Sequence, residues 1–405
     1  MNKQILRVFL LINILIFANS SAQNSPILNS VLNKVSLDST LKCLRQLTGQ
    51  EEIFLDAAVK ISSRHRYREG NALAAQFLKK KFKQYGLQTY QQDFSTDGQN
   101  IYAVQKGYRY PNQQVIICAH YDCMPSNEFA PGVDDNASGT AAVLEAARVI
   151  STYQTEYTIV YALWDLEEQG LIGSNYYAKG ASQRKDSIIA VINLDMISYD
   201  SNKDFTAEIN VRDYYNSLKL SKTIYDLNQN LSIGLNLQII NPGITSSDHS
   251  SFWANGFSAI CLIESFKDFN KNYHQITDDM TIFNAEYYYR MTKLSIASLA
   301  QIAFPNSLSN IERNIPAQFQ LAQNFPNPFN PSTNILYTIP TDGFVQIKIY
   351  DLLGREAANP VNEIKTGGTH LLKLDLASET WPPGIYYYSL KFGGSVQTKK
   401  MILLK

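Results

Sequence analysis

The sequence predicts an α/β protein: a mixed, mostly parallel sheet flanked by helices, followed by a small C-terminal antiparallel β-sandwich. Three observations carry this. From Ile101 to Ile263, branched apolar runs of strand length alternate with stretches of helical spacing. Acids and histidines stand just past the ends of those runs, where open parallel sheets keep their active groups. From Pro305 onward lie nine of the fourteen prolines, and period-two runs between turn residues replace the helical pattern.

In order, Lys3 and Arg7 precede a short apolar run, Val8 to Ala18, with Ser20-Ser21-Ala22 behind it, so residues 1–22 read as a secretory signal peptide. That run is too short to span a bilayer, and no later segment is long and apolar enough to anchor the chain. Residues 23–45 carry short amphipathic stretches and no chemical signal, an N-terminal segment open to removal as a propeptide. The main domain is expected over 46–304. In it, Asn71 to Leu78 and the lysines after them predict an amphipathic helix stopping at Gly86, with Lys79-Lys80-Lys81 as its solvated face. Extended segments around 87–94 and 101–104 precede the strand Val115 to Ala119.

That strand releases His120 and Asp122, two residues apart and therefore on one face. Alone, the pair is as well explained by a core histidine hydrogen-bonded to a surface acid. A loop with Pro125 and Pro131 leads to Gly132-Val133-Asp134-Asp135-Asn136-Ala137-Ser138-Gly139, ahead of a helix over 141–150; one acid there could serve only as a cap. The strand 158–164 exits into Asp165-Leu166-Glu167-Glu168-Gln169-Gly170, and a helix-like stretch, 171–177, follows. The strand 188–197 embeds Asp195 among apolar neighbours, an expensive place for an acid unless it is paired or metal-bound. Ser246-Ser247-Asp248-His249 precedes the apolar run 257–263, and Tyr273-His274-Gln275 follows in a loop. A linker over 305–319 leads to the sandwich, 320–405, whose opening run Asn324 to Pro331 cannot be helical. Its strands show in Val345 to Ile349 and Gly384 to Leu390.

Lys+Arg and Asp+Glu both number 36, which argues against nucleic acid as a partner. Four cysteines are too few for a disulfide scaffold. Cys118 and Cys261 sit in apolar runs and suit buried free thiols; the pairing of Cys43, Cys118, Cys123 and Cys261 stays open. His65 and His370 have no acidic company and read as surface or loop histidines.

The chemical inventory is His120, Asp134 or Asp135, Glu167 with Glu168, Asp195 and His274. Two dications about 3.5–4 Å apart need a bridging carboxylate, further anionic ligands and terminal imidazoles, all of which this inventory supplies. Nitrogen and carboxylate ligands suit zinc. Adjacent glutamates let one bind metal while its neighbour acts as general base.

The ordered motifs Cys-Ala-His-Tyr-Asp, Gly-Val-Asp-Asp-Asn-Ala-Ser-Gly, Asp-Leu-Glu-Glu-Gln-Gly, Asn-Leu-Asp-Met-Ile, Ser-Asp-His and Tyr-His-Gln closely resemble the secreted dizinc aminopeptidases of the bacterial leucyl aminopeptidase type, over residues 45 to 303. The resemblance implies a zinc exopeptidase-like fold and two Zn2+ ions. It implies Asp135, immediately before Asn-Ala-Ser-Gly, as the bridging ligand; Glu168 and His274 complete one site, His120 and Asp195 the other. It gives Glu167 the role of general base and acid, has Asp122 orient His120, and makes Tyr273 a donor to the oxyanion. Asp248 and His249 match a motif near the substrate pocket and stand behind the ligands. The implied reaction is hydrolysis of the first bond of peptides with a free N-terminus, through attack of a metal-bound hydroxide. Glutaminyl cyclases share the fold with a single zinc, and carboxypeptidases or dipeptidases of the same superfamily read a carboxylate instead of an amine. A non-catalytic adhesion protein would need only the sandwich and leaves the ligand set unexplained.

The tail carries a second resemblance. Asn-Phe-Pro-Asn-Pro-Phe-Asn-Pro-Ser-Thr, Val-Gln-Ile-Lys-Ile-Tyr-Asp-Leu-Leu-Gly-Arg, Gly-Ile-Tyr-Tyr-Tyr-Ser-Leu and the terminal Lys-Lys-Met-Ile-Leu-Leu-Lys are similar to the sorting domain of type IX secretion cargo. This implies outer-membrane secretion machinery as a partner, and a product secreted or attached to the cell surface after signal-directed export to the periplasm.

Overall fold

The computed structural model describes residues 26–304, 319–339, 343–365, 368–376, 381–393 and 395–404. The expected signal peptide and all but the last residue of the expected linker lie outside them. The described residues divide into two compact units, the first drawn from residues 26–151 and 155–304 and the second taking in those from Phe319 onward.

The first unit opens with two helices, α1 (Pro26–Lys34) and α2 (Leu37–Leu47), and a two-stranded ribbon, β1 (Ile53–Phe54) with β2 (Ala58–Val59). Then come α3 (Glu69–Gln84), β3 (Gln88–Asp93), β4 (Gln99–Gln105), β5 (Tyr110–His120), α4 (Gly139–Ile150), β6 (Tyr157–Trp164), α5 (Ile172–Arg184) and β7 (Ser187–Leu194). It closes with β8 (Thr206–Asn210), α6 (Ser217–Asn230), β9 (Asn236–Ile240), α7 (His249–Ala254), β10 (Ala259–Glu264) and α8 (Ala285–Ala303).

Its eight-stranded sheet has the order β3-β4-β6-β5-β7-β10-β8-β9. The four central strands, β6, β5, β7 and β10, run parallel. Both faces of these strands are covered: α5 and α7 pack one face through Tyr177, Ala178, Phe252 and Trp253, and α4 with α8 covers the other. Hence β6 and β10 are buried along their whole length and read as continuous apolar runs rather than alternating ones. The chain leaves β5 for β6 on one side and then returns to β7 on the other. β5 therefore marks the point where strand order reverses, and a crevice opens beyond the strand ends there.

The predicted helix over 71–86 begins two residues earlier, at Glu69, and stops where expected: Gly86 takes φ +73, a conformation that glycine reaches at little cost. The N-terminal segment is more integrated than its composition suggests. Glu145 on α4 is buried and accepts Ser36 N at 2.7 Å at the start of α2, while Arg148, paired with Glu145, donates to Lys34 O at the end of α1. Leu28, Val31, Leu44 and Leu47 are buried with them.

In the second unit the named strands pair antiparallel, and an isolated parallel bridge joins Phe329 to Leu403. A three-stranded sheet orders β11 (Gln320–Leu321), β12 (Ser332–Ile339) and β15 (Gly368–Asp375). A four-stranded sheet orders β14 (Glu356–Lys365), β13 (Gly343–Tyr350), β16 (Gly384–Phe392) and β17 (Ser395–Leu403). Alternate residues of each strand point inward: Ile335, Tyr337 and Ile339 from one sheet, and Val345, Ile347, Ile349, Tyr386, Tyr388 and Leu390 from the other, form one core. The buried Tyr388 hydroxyl donates to Ala322 O and accepts from Asn324 N, each at 2.8 Å, which ties the proline-rich opening to the core.

Candidate metal centre

The parallel strands deliver the site. β5 ends at His120, β6 exits into Asp165 to Glu168, and β7 exits into Asp195. Asp135 comes from the kinked turn over 133–138 that joins the β5 exit to α4, and His274 from the loop between β10 and α8. His120 and Asp195 are both buried.

One carboxylate stands between the two histidines. Asp135 Oδ1 lies 3.2 Å from His120 Nε2, and its Oδ2 lies 3.4 Å from His274 Nε2. Asp195 Oδ1 is 3.3 Å from His120 Nε2, and Glu168 Oε2 is 2.7 Å from His274 Nε2. Glu167 Oε2 stands off at 4.0 Å from His120 Nε2. Ligand-type atoms of His120, Glu167 and Asp195 converge within 4.8 Å, as do those of His120, Asp135 and Glu168. Such convergence of acids fits a cation, and the buried Glu168 Oε1 has no hydrogen-bond partner among the described residues.

Electrostatics follows from this crowding. Burial raises Glu167 well above its ordinary range and Glu168 to about 8. Burial alone would lower the two imidazoles, but the acids win. Glu167 and Asp195 push His120 well up, and Asp135 with Glu168 brings His274 to about 10. Burial would raise Asp135; its bonds to both histidines instead hold it below the usual carboxylate range.

Asp122 lies directly behind the ligands. Its backbone carbonyl and Oδ1 lie 3.2 and 3.4 Å from His120 Nδ1, and its two carboxylate oxygens accept Glu167 N and Glu168 N, each at 3.2 Å. Ser247 Oγ donates to Asp195 Oδ2 at 2.6 Å. Asp134 faces away from the histidines: Ser198 N and Oγ donate to it at 2.9 and 2.8 Å, Asn270 Nδ2 at 3.2 Å, and burial pushes it up to about 6. Neither aspartate caps α4; Asn136 Oδ1 accepts Gly139 N at 2.9 Å instead.

Asp248 and His249 are fully buried at the start of α7. Burial raises Asp248 to about 7 and lowers His249 to about 4. His249 Nε2 meets Ile244 O at 3.1 Å, and its ring stands edge-on to Trp253 at 4.4 Å. A cavity of about 230 Å³ opens over the site, lined by His120, Asp135, Glu167 and Asp195 and walled by Met196, Ile244, Ile263, Phe266 and Phe269. Tyr273 lines its rim, half-exposed, with its ring 3.6 Å from that of His274.

One outcome differs from the sequence reading. His65 lies in a loop but is buried, close enough to Asp122 to feel its charge. His370 is half-exposed and stacks on Tyr337. The cysteines Cys43, Cys118, Cys123 and Cys261 are buried and free, as expected for Cys118 and Cys261. One residue was missed: buried Asp278 accepts Asp134 N at 3.1 Å and Asp135 N at 3.0 Å, fixing the backbone that aims Asp135.

Fold and site together define a metallopeptidase of the α/β exopeptidase class with an appended β-sandwich. Residues 100–299 match peptidase family M28, and residues 323–404 match the secretion system C-terminal sorting domain; the chain carries a domain of each family, and the sorting domain marks a secreted or cell-surface protein. A probable zinc metalloprotease of Pyrenophora tritici-repentis is 25% identical over 69% of this chain and 71% of its own length. Aminopeptidase Y of Saccharomyces cerevisiae is 28% identical over 51% of this chain, which spans only 39% of that relative. In fold, LapA of Legionella pneumophila superposes with TM-score 0.59 at 24% identity, covering 68% of this chain and 76% of that one. A glutaminyl cyclase of Porphyromonas gingivalis superposes with TM-score 0.54 at 17% identity, covering 66% and 99%. Among the described residues no helix is long and apolar enough to cross a membrane.

Proposed function

We propose that the site is a dizinc centre that hydrolyses the first peptide bond of peptides with a free amino terminus. The observation that supports it is Asp135, which turns one oxygen to each of two histidines. On this reading Asp135 would be shared between the two ions, His120 and Asp195 would hold one of them, and Glu168 and His274 would hold the other. Zinc bound there supplies Lewis-acid polarisation of the scissile carbonyl and lowers the pKa of water. Glu167, on the cavity wall and farther from His120 than the ligand oxygens, takes the water's proton and hands it to the leaving amine. Asp122 fixes the His120 ring and the backbone of both glutamates. Tyr273 donates its hydroxyl to the developing oxyanion from the cavity rim, and Asp248 and His249 support the cavity from behind.

The unit over 46–304 is the catalytic domain, and 320–405 directs export across the outer membrane after the signal peptide has led the chain to the periplasm. Deleting 320–405 is expected to leave active enzyme in the periplasm; undiminished secretion would refute that assignment. The reaction is tested by screening aminoacyl-anilides, N-blocked peptides and N-terminal Gln peptides, with and without chelator, alongside metal analysis. Turnover of free N-termini only, lost with chelator and restored by two zincs per chain, is expected. One zinc per chain with cyclisation of Gln peptides would instead favour the cyclase reading, which the fold similarity keeps in view.

A further inference from the structure

We propose that Arg64 is a positioning residue that holds the loops of the metal centre in register while ligating nothing itself. Arg64 is fully buried. Its guanidinium donates to four carbonyls: Tyr121 O at 2.7 Å, Leu47 O at 2.8 Å, Pro131 O at 2.7 Å and Gly132 O at 2.8 Å. Tyr121 lies between His120 and Asp122, and Pro131 with Gly132 forms the entry to the turn that carries Asp135. One side chain therefore fixes the backbone on both sides of the crevice and ties it to the end of α2.

The backbone of Arg64 extends the same tie. Its N–H donates to Cys123 Sγ at 3.2 Å, and its carbonyl accepts from Asn71 Nδ2 at 3.0 Å. Asn71 also donates to Asp165 Oδ1 at 2.9 Å, two residues ahead of Glu167. The third catalytic loop, at the β6 exit, is thus joined to the other two. Gly132, at φ +49, makes the close approach feasible: a Cβ there would sit 3.0 Å from Arg64 Nη2 and 2.4 Å from Asp135 O.

Chemistry explains why this position holds arginine. A buried cation is costly unless its donors are met, and here they are met by carbonyls. Only a rigid planar fork with five donors reaches carbonyls on three separate segments; an ammonium on a flexible stem does not. With its donors spent on backbone, Arg64 sets where Asp122 and Asp135 stand.

The proposal rests on reading the site as a zinc centre, and its test separates the two. Arg64→Lys and Arg64→Met are made in the full chain, with Ile224→Ala, fully buried on α6 away from the site, as a control for general loss of stability. Zinc affinity is measured by competition against a fluorescent chelator, alongside kcat, KM and the thermal midpoint. For Arg64→Lys a 10–100-fold loss of zinc affinity is expected, the range for residues that orient ligands, with kcat falling and KM nearly unchanged. Ile224→Ala should lower the midpoint and leave zinc affinity alone. Wild-type zinc affinity in Arg64→Lys, or an equal loss in Ile224→Ala, overturns the proposal. A wild-type chain that binds no zinc sinks the zinc reading itself. Should the Arg64 variants not fold, amide exchange in the wild type decides: zinc should slow exchange at Arg64 and Cys123 together with Val133 and Asp135, and slowing that spares Arg64 and Cys123 overturns the proposal.

Discussion

Asp122→Asn removes one charge and one acceptor and leaves every proposed ligand atom in place. In the structure the two carboxylate oxygens meet the N–H groups of Glu167 and Glu168, each at 3.2 Å, and Oδ1 also lies 3.4 Å from His120 Nδ1. Asparagine has a single acceptor oxygen. Whichever way its amide turns, the NH2 group faces one of the two glutamate N–H donors. A buried donor left unmet costs about 1–3 kcal/mol, and a hydrogen bond to a charged group contributes roughly 1.5–3 kcal/mol. The two effects share one side chain and do not add in full, so about 3 kcal/mol is expected, close to two decades in rate. The Asp122 carbonyl still faces His120 Nδ1 at 3.2 Å, so the ring keeps that partner while the glutamate backbone shifts, and the loss should appear in kcat with zinc content unchanged. Steady-state kinetics on leucyl-anilide and metal analysis of the same sample check this. A kcat within threefold of wild type refutes the orienting role, and so does a loss fully explained by missing zinc.

Three further expectations follow from the same geometry. Glu167→Ala should lower kcat by about 10²–10⁴-fold, the range for a lost general base, with both zincs retained; near-normal anilide hydrolysis would sink the role. Asp135→Asn should lose zinc, whereas Asp134→Asn, whose oxygens bond to Ser198, Asn270 and Glu264 rather than to the histidines, should keep zinc and stay within about tenfold in kcat; metal analysis of the pair separates bridging ligand from scaffold. In the metal-free protein Glu168 titrates near 8 against an ordinary 4.5, and His274 near 10 against 6.5. The native chain then holds more protons than the unfolded chain over those intervals, so stability falls as pH rises from about 4.5 to 10, most steeply between 6.5 and 8. Asp135, held low, and His249, lowered to about 4 against 6.5, contribute in the opposite sense, the first below its ordinary range and the second below about 6.5, so neither touches the steepest interval. The thermal midpoint after chelation should therefore be lower at pH 8 than at pH 6, and a midpoint that rises across that interval refutes the assignment.

The strands of the site were legible because parallel strands covered on both faces must be apolar throughout, so a polar residue at their ends stands out. His120 and Asp122 share a face by strand parity, and Asp195 breaks an apolar run; both facts are local. What was not legible is carried by contacts across the chain. Asp278 supports Asp134 and Asp135 from more than 140 residues away, and no period or neighbour announces it. Glu264, at the end of β10, looks like one more strand-exit acid; in the structure it accepts Asn270 N at 2.8 Å, and Asn270 in turn donates to Asp134. Arg64 and His65 lie in a loop without periodicity, and their burial comes from the 121–132 segment packed against them. The helices α6 and α8, the strand β8 and the edge strand β9 were not assigned, since their side chains answer to neighbours rather than to their own pattern. The choice between Asp134 and Asp135 shows the division most plainly. Two adjacent acids are equivalent in sequence, yet the turn over 133–138 aims one at two histidines and the other at Ser198 and Asn270. The first can be charged because imidazoles face it, while the second is pushed by burial toward its neutral form. Metal chemistry needs the first kind of acid, and a stable turn beneath it needs the second.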